Sequence, residues 1–400
     1  MAPAQSGDSE TAAAGEADVR QFVGRYVQQL KADGAIRSPA VERAFLKVER
    51  HRLLQIFYRP PGPRGGPPIH HDPEHPVAEH LELIYANTAL GTRFVDGMPA
   101  SSTSQPSLVA QMLELLDLAP GTSVLEVGAG TGYNAALIAE IVGEQRLVVS
   151  VDVLDDVVAQ TRRLLARAGH PGIAVLLRDG VDGAPERAPF DRIVATVGCS
   201  DLSPKWAEQL AEGGRMLVPL DHAGGHPLFL LHKERGTLVG RVVSWTGFMP
   251  IRGPLHVDGL WPIGVLQPDA DEVIHQRDPW PGFGAEGPLP SLGCSADESD
   301  LLFYLSLADR RACWAPGGVG LSDDRNGWAV AGPGGIRWWK DASLVEQLDG
   351  LHSEWLARGR PAVGDYRVAF VPIEEDSSPP RGGWAVDRRF FRELLWLQRL

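Results

Sequence analysis

The chain has 400 residues, 44% of them hydrophobic, and sets 38 Lys and Arg against 51 Asp and Glu for a formal net charge of −13. That length allows two domains and a sizeable core, and no apolar run is long enough to span a membrane. The acidic balance, with no basic tract to offset phosphate repulsion, argues against nonspecific nucleic-acid binding.

Residues 1–17 are rich in Ala, Gly, Ser and Glu, without the basic start or apolar centre of a signal peptide, and are expected to be a frayed leader. With three unpatterned cysteines, Cys199, Cys294 and Cys313, this predicts a reducing cytoplasm. Val19, Phe22, Val23, Tyr26, Val27 and Leu30 recur at helical spacing, and Pro39 can open a second helix through Leu54. Both helices read equally as a structural cap or as a substrate contact. The tract RPPGPRGGPPIHHDPEHP after Phe57 predicts a loop. His70, His71, His75 and His80 match no strong ligand spacing, so no metal is expected.

In the polar tract Ser101 to Ser107, Pro106 holds Gln105 extended near the start of a predicted helix, Ser107 to Leu116, with Leu108, Met112, Leu115 and Leu116 on one face. Ser104 just precedes that helix, where its hydroxyl either caps it or faces outward.

The organising stretch is VLEVGAGTGY, Val124 to Tyr133: a buried strand that stops at a glycine turn and passes into a helix. Gly128, Gly130 and Gly132 are spaced GxGxG with no following GKS or GKT, so a phosphate loop of the ATPase kind is not expected. The triad alone is equally a tight turn or a ligand cradle. Glu126 precedes it, and Asp152 ends the next strand, Leu147 to Val153, where a carboxylate can accept both hydroxyls of a ribose. A third strand, Ile173 to Leu177, runs into Arg178-Asp179-Gly180. A fourth, Phe190 to Thr196, reaches Val197 and Gly198, and RMLVPL is a fifth. Two apolar runs around Glu234-Arg235-Gly236 predict a closing hairpin before Pro250.

Residues 251–298 are rich in Gly, Pro and Asp and read as a linker. Beyond them LLFYLSLADRRACW, GWAVA, GIRWWK and YRVAFVPI predict short strands, ASLVEQLDGLHSEWLARG a helix, and WAVDRRFFRELLWLQRL a strand followed by an aromatic-rich helix or strand. Trp314, Trp328, Trp338, Trp339, Trp355, Trp384 and Trp396 lie here, seven of the eleven tryptophans. They are expected to build mainly a small core, a surface for an extended peptide being the other reading.

The runs VLEVGAGTGYNAALIAEIVG, SVDV, RDG, PFDRIVATVG and LAEGGRMLVPL, with VERAFLKVERHRLL at 41–54 and STSQPSLVAQMLELLDLAPG at 102–121, resemble the protein-L-isoaspartate O-methyltransferase family. The likeness covers roughly residues 17–250. It implies an α/β, Rossmann-like class I methyltransferase: a doubly wound sheet with a C-terminal antiparallel hairpin and N-terminal helices, here followed by a second, α+β domain. The chain then divides into a leader at 1–17, a helical cap and acceptor-side segment at 18–120, the core at 121–250, the linker at 251–298 and a substrate-recognition module at 299–400.

The resemblance further implies methyl transfer from S-adenosyl-L-methionine to an aspartyl or isoaspartyl carboxylate in a peptide or protein, leaving S-adenosyl-L-homocysteine. By it, Ser104 hydrogen-bonds the acceptor carboxylate, flanked by Thr103 and Gln105. Gly128, Ala129, Gly130, Thr131 and Gly132 pass under the methionine part of the cofactor, Asp152 and Val153 take the ribose, and Asp179 and Gly180 face the adenine. Glu126 orders the turn or meets the amino-acid end, Val197 and Gly198 line the far wall, and Thr196 is a further cofactor-binding residue. Gln105 and Ser107 stand where the family commonly has alanine and histidine around its proline. That departure and the added module lead to the expectation of a dedicated substrate, a ribosomally made peptide precursor whose methylated aspartate closes to an aspartimide. A general repair methyltransferase, a small-molecule O- or N-methyltransferase and a noncatalytic peptide-binding protein are the other readings. The oligomeric state is left open.

Overall fold

The computed structural model describes residues 15–60, 66–257, 260–261, 265–267, 274–281, 283, 295–323 and 327–398. Most of the expected leader, Cys294 and much of the expected linker lie outside the described residues. Two compact units emerge, Met1–Thr122 with Ala129–Leu177, and Ser123–Gly128 with Arg178–Leu400.

The N-terminal helices are α1 (Glu16–Ala32) and α2 (Pro39–Lys47), the latter capped by Ser38, whose hydroxyl accepts from the Val41 N–H at 3.3 Å. Helix α2 stops short of the expected Leu54 because Val48 turns to extended backbone, and Arg50–Leu53 then makes a 3-10 turn. Short strands β1 (Ile56–Phe57) and β2 (Ile69–His70) and helix α3 (Ala78–Ile84) follow.

A hairpin of β3 (Leu90–Val95) and β4 (Met98–Thr103) comes next, then α4 (Pro106–Leu116). The sequence reading placed no strand at Met98–Thr103. The signal was Asp96-Gly97, both at positive φ, which is the two-residue turn that antiparallel strands favour. Val95 and Met98 at this tip are 42% and 69% exposed.

The chain then alternates β5 (Val124–Val127), α5 (Tyr133–Val142), β6 (Val148–Asp152), α6 (Asp155–Arg167), β7 (Ala174–Leu177), β8 (Phe190–Ala195), α7 (Pro204–Gln209) and β9 (Leu210–Pro219), and closes with β10 (His226–Glu234) and β11 (Thr237–Thr246). After β12 (His275–Arg277), residues predicted as a strand form helix α8 (Ala296–Ala308). A capping box starts it: Ser295 Oγ accepts from the Glu298 N–H at 3.2 Å, and the Glu298 carboxylate accepts from the Ser295 N–H at 2.6 Å. Leu301 to Leu305 are all buried, and an apolar run without a polar face carries no period to separate helix from strand. Strands β13 (Ala312–Ala315), β14 (Gly318–Asp323), β15 (Gly327–Gly332) and β16 (Gly335–Lys340), helix α9 (Ser343–Ala357), and strands β17 (Tyr366–Pro372), β18 (Trp384–Asp387) and β19 (Phe391–Leu397) complete the order.

In the first unit β6 and β7 pair in parallel, as a βαβ crossover through α6 requires. In the second, the strands lie in the order β18, β19, β17, β11, β10, β9, β8, β5, with β5, β8 and β9 parallel and the others antiparallel. The predicted hairpin is therefore present, and β17 extends it by pairing with β11. The antiparallel sheet β12, β16, β15, β14, β13 has its own core of Leu266, Cys313, Ala315, Trp328 and Val330, with Trp339 against it. Of the seven C-terminal tryptophans, Trp328 and Trp355 are buried and the others half-buried.

A buried polar network ties the end of the second unit to its middle. Arg388 donates to the Glu393 carboxylate at 2.7 and 2.8 Å, to Ser200 O at 2.6 Å, to Asp221 O at 3.2 Å and to His222 Nε2 at 2.7 Å. Burial lowers the pKa of His222, and its Nδ1 lies 3.0 Å from Ser306 Oγ. Removing one partner of such a pair strands a buried charge. Arg388→Met is expected to cost about 3–5 kcal/mol in chemical denaturation, far more than Arg381→Met at an exposed position.

Candidate active site

Gly128, Gly130 and Gly132 all take positive φ, at 102°, 50° and 81°. At Gly128 an added Cβ would stand 2.7 Å from Thr196 Oγ1, and at Gly130 it would stand 3.0 Å from Ser102 O. At these two positions the space that glycine leaves is thus taken by the protein's own groups. What remains for a ligand is the polar equipment around the turn.

In the first unit the Gly130 N–H donates to Asp152 Oδ2 at 3.2 Å, and Gly130 O accepts from Thr161 Oγ1 at 2.6 Å. Asp152 Oδ1 accepts from the Leu154 N–H at 3.1 Å. Each carboxylate oxygen can accept twice, so half-buried Asp152 has an acceptor position left on both, which suits two adjacent hydroxyls. Ala129 and Thr131 are buried, whereas Val153 is 43% exposed. A cavity of about 260 Å³ adjoins the turn, lined among others by Tyr58, Phe94, Ser101, Gly130, Thr131 and Thr161.

In the second unit Glu126 is buried in β5, and the Thr196 N–H and hydroxyl donate to Val127 O at 2.9 Å and Gly128 O at 2.8 Å. Asp179 Oδ1 caps a short 3-10 turn by accepting from the Val181 N–H at 3.0 Å. Gly180 O accepts from Trp206 Nε1 at 2.7 Å. The segment carrying Val197 is held through Gly198, whose N–H donates to Met249 O and whose carbonyl accepts from the Ile251 N–H, both at 2.8 Å.

On the acceptor side, the N-cap of α4 is Gln105, whose side chain makes no capping bond, so Ser104 is not the cap. Asn87 Oδ1 takes the Ser107 N–H at 3.0 Å instead. Thr103 is 3% exposed, and its hydroxyl has no partner among the described residues. An unpaired buried hydroxyl costs about 1–3 kcal/mol, which a polar ligand atom would relieve.

The residue that the sequence reading missed is Arg50. It is fully buried and donates to Ile84 O at 2.6 Å, Ala86 O at 3.4 Å, Thr88 O at 3.2 Å and Ser104 O at 3.0 Å, with its guanidinium 5.9 Å from the Tyr133 ring centroid. Nothing local singled it out, since Glu49 and Arg52 stand in the same short charged run between Val48 and Leu53.

Among the described residues none of the histidines belongs to a group of three or more His, Cys, Asp or Glu side chains that could hold an ion. They hydrogen-bond to one another, His71 Nδ1 lying 3.3 Å from His80 Nδ1 and His71 Nε2 3.1 Å from His51 O.

A strand, glycine turn and helix followed by a strand-end carboxylate, in a mixed α/β sheet, define the class: a Rossmann-like, class I S-adenosylmethionine-dependent methyltransferase. The family model for Protein-L-isoaspartate(D-aspartate) O-methyltransferase matches residues 74–255. The chain is 35% identical over 232 residues to the protein-L-isoaspartate O-methyltransferase of Pyrococcus horikoshii, covering 57% of this chain and 92% of that one. The enzyme of that name from Methanopyrus kandleri is 34% identical over 231 residues, with 57% and 90% covered. A solved protein-L-isoaspartate O-methyltransferase superposes with a TM-score of 0.53 at 26% identity, covering 87% of this chain and 96% of its own. That match reaches past residue 250 into the C-terminal region. This chain belongs to the protein-L-isoaspartate O-methyltransferase family and is a carboxyl O-methyltransferase that uses S-adenosyl-L-methionine. Among the described residues no helix is long and apolar enough to cross a membrane.

Burial lowers both His51 and His71 from 6.5 to about 4, with neighbouring cationic or histidine groups adding to it. Between pH 6.5 and about 4 the unfolded chain therefore binds more protons at these sites than the folded one, and stability falls as pH is lowered through that window. Urea midpoints are expected to drop between pH 6.5 and 4.5, and His71→Asn is expected to make that drop shallower.

Proposed function

We propose that this enzyme esterifies the carboxylate of an aspartyl or isoaspartyl residue in a peptide or protein. The observation that carries the reading is the likeness to relatives named protein-L-isoaspartate O-methyltransferase over more than nine-tenths of the Pyrococcus protein. Bound S-adenosyl-L-methionine supplies an already activated methyl group. Gly128 to Gly132 with Glu126, Asp152 with Val153, Asp179 with Gly180, and Thr196 with Val197 would hold it, Asp152 taking the ribose hydroxyls. The acceptor carboxyl, with an ordinary pKa near 4, is already ionised at neutral pH, so no residue need remove a proton. Ser104 then orients one carboxylate oxygen, Thr103 and Gln105 flank it, and the surrounding buried side chains strip its water.

The finer reading is a dedicated, ribosomally made precursor as the substrate, with ordinary aspartate as the methylated residue. The ester is attacked by the next residue's backbone nitrogen: an N–C bond forms, the C–O bond to methoxide breaks, and the amide proton leaves with it as methanol, giving an aspartimide. It is supported by Gln105 and Ser107 beside Pro106, by the β3–β4 hairpin, exposed at its tip, that runs directly into Ser104, and by the half-buried C-terminal tryptophans. General repair keeps support of its own, because the solved family member matches this chain into the C-terminal region.

Ser104→Ala should lose at least about tenfold in methyl transfer while binding S-adenosylhomocysteine in calorimetry like the parent protein. Asp152→Ala should weaken that binding by about tenfold or more; unchanged binding would remove Asp152 from the ribose. Intact-mass measurement of candidate peptides separates the substrates. Gain of one methyl followed by loss of methanol on aspartyl peptides is expected, and efficient turnover only of generic isoaspartyl peptides would leave repair as the function.

A further inference from the structure

Arg50 and the residues it grips all lie within the first unit, and one of them is the peptide group between Ser104 and Gln105. That peptide is trans, so its carbonyl and its N–H point in opposite directions within one rigid plane. With Ser104 O drawn to Arg50 Nη2 at 3.0 Å in the buried interior, the Gln105 N–H is turned away from Arg50. No acceptor among the described residues takes that N–H, whereas the two positions after it are accounted for: Pro106 has none to offer, and the Ser107 N–H is held by Asn87. Two residues earlier in the chain stands the Thr103 hydroxyl, buried and without a partner among the described residues. Helix α4 starts at this point, so its dipole adds attraction for an anion. A buried guanidinium with no carboxylate partner among the described residues, its two Nη groups given to main-chain carbonyls and its Nε to nothing, is a costly device. Its effect is to fix the direction of one peptide plane next to Ser104.

We propose that the Gln105 backbone N–H is the second hydrogen-bond donor to the acceptor carboxylate, beside Ser104 Oγ, and that Arg50 is the positioning residue that aims it. The inference rests on the reading that the acceptor carboxylate lies at this tract. Two donors on one carboxylate fix its plane, where a single rotatable hydroxyl would let it swing. A main-chain donor cannot rotate away, and it holds its place only while the Ser104 carbonyl is gripped.

The local backbone permits a direct test. Gln105 sits at φ −58° and ψ 128°, values that proline adopts without strain, so Gln105→Pro deletes the N–H at little conformational cost, while Gln105→Ala deletes only the side chain. Both variants are assayed with the same aspartyl or isoaspartyl peptide, alongside S-adenosylhomocysteine affinity and melting temperature. The proline variant should fall at least about tenfold below the alanine variant in kcat/KM for the peptide, with the two equal in nucleotide affinity. Arg50→Lys should lower the same constant and add little further loss in the proline background, because both act through one peptide plane. Equal kcat/KM for the proline and alanine variants overturns the proposal, as does an Arg50→Lys loss that multiplies fully with the proline loss. A neutral Ser104→Ala would defeat the role given to the serine without touching this comparison, so the two failures are told apart.

Discussion

The site depends on a backbone held in a conformation that only glycine takes easily. At Gly128 and Gly130 the chain turns at positive φ while Thr196 and Ser102 press into the space a side chain would fill. Asp152 and Thr161 then clamp Gly130 from its N–H and carbonyl sides. The carboxylate that would meet a ribose is thereby also the group that steadies the turn. One side chain would then serve both binding and structure, and the glycines serve the fold first.

How much was legible follows from what each signal measures. The alternation from Val124 to Pro219 was readable because short apolar strands and amphipathic helices differ in period and are punctuated by glycine. The helix at Ala296–Ala308 was misread because its stretch from Leu301 to Ser306 is buried all round and has no period to show. Strand β4 was missed although Asp96-Gly97 marked its turn, since the strand itself is rich in serine and alternates weakly. Arg50 could not be assigned at all: its partners are carbonyls from four other positions, which leave no mark on side-chain sequence.

The acceptor tract brings these threads together. Ser104 ends a hairpin, precedes a helix and has its carbonyl fixed from below by Arg50, whose guanidinium also lies over the ring of Tyr133, the first residue of the helix after the glycine turn. The elements that carry Ser104 and that follow the glycine turn are thus fastened to one buried cation within a single unit. Positioning of this sort suits a reaction whose nucleophile is charged without help and whose methyl donor arrives activated, because alignment is the main task left to the protein.

The pairing of β17 with β11 has a consequence for how the molecule is made. On the ribosome, β11 emerges with its outer margin bare and stays so while everything between Thr246 and Tyr366 is synthesised. Its natural neighbour is far away in sequence, which slows closure and leaves an open strand able to recruit other chains meanwhile. Nascent copies of this enzyme therefore pass through a sticky interval that a family member ending at the hairpin would never meet.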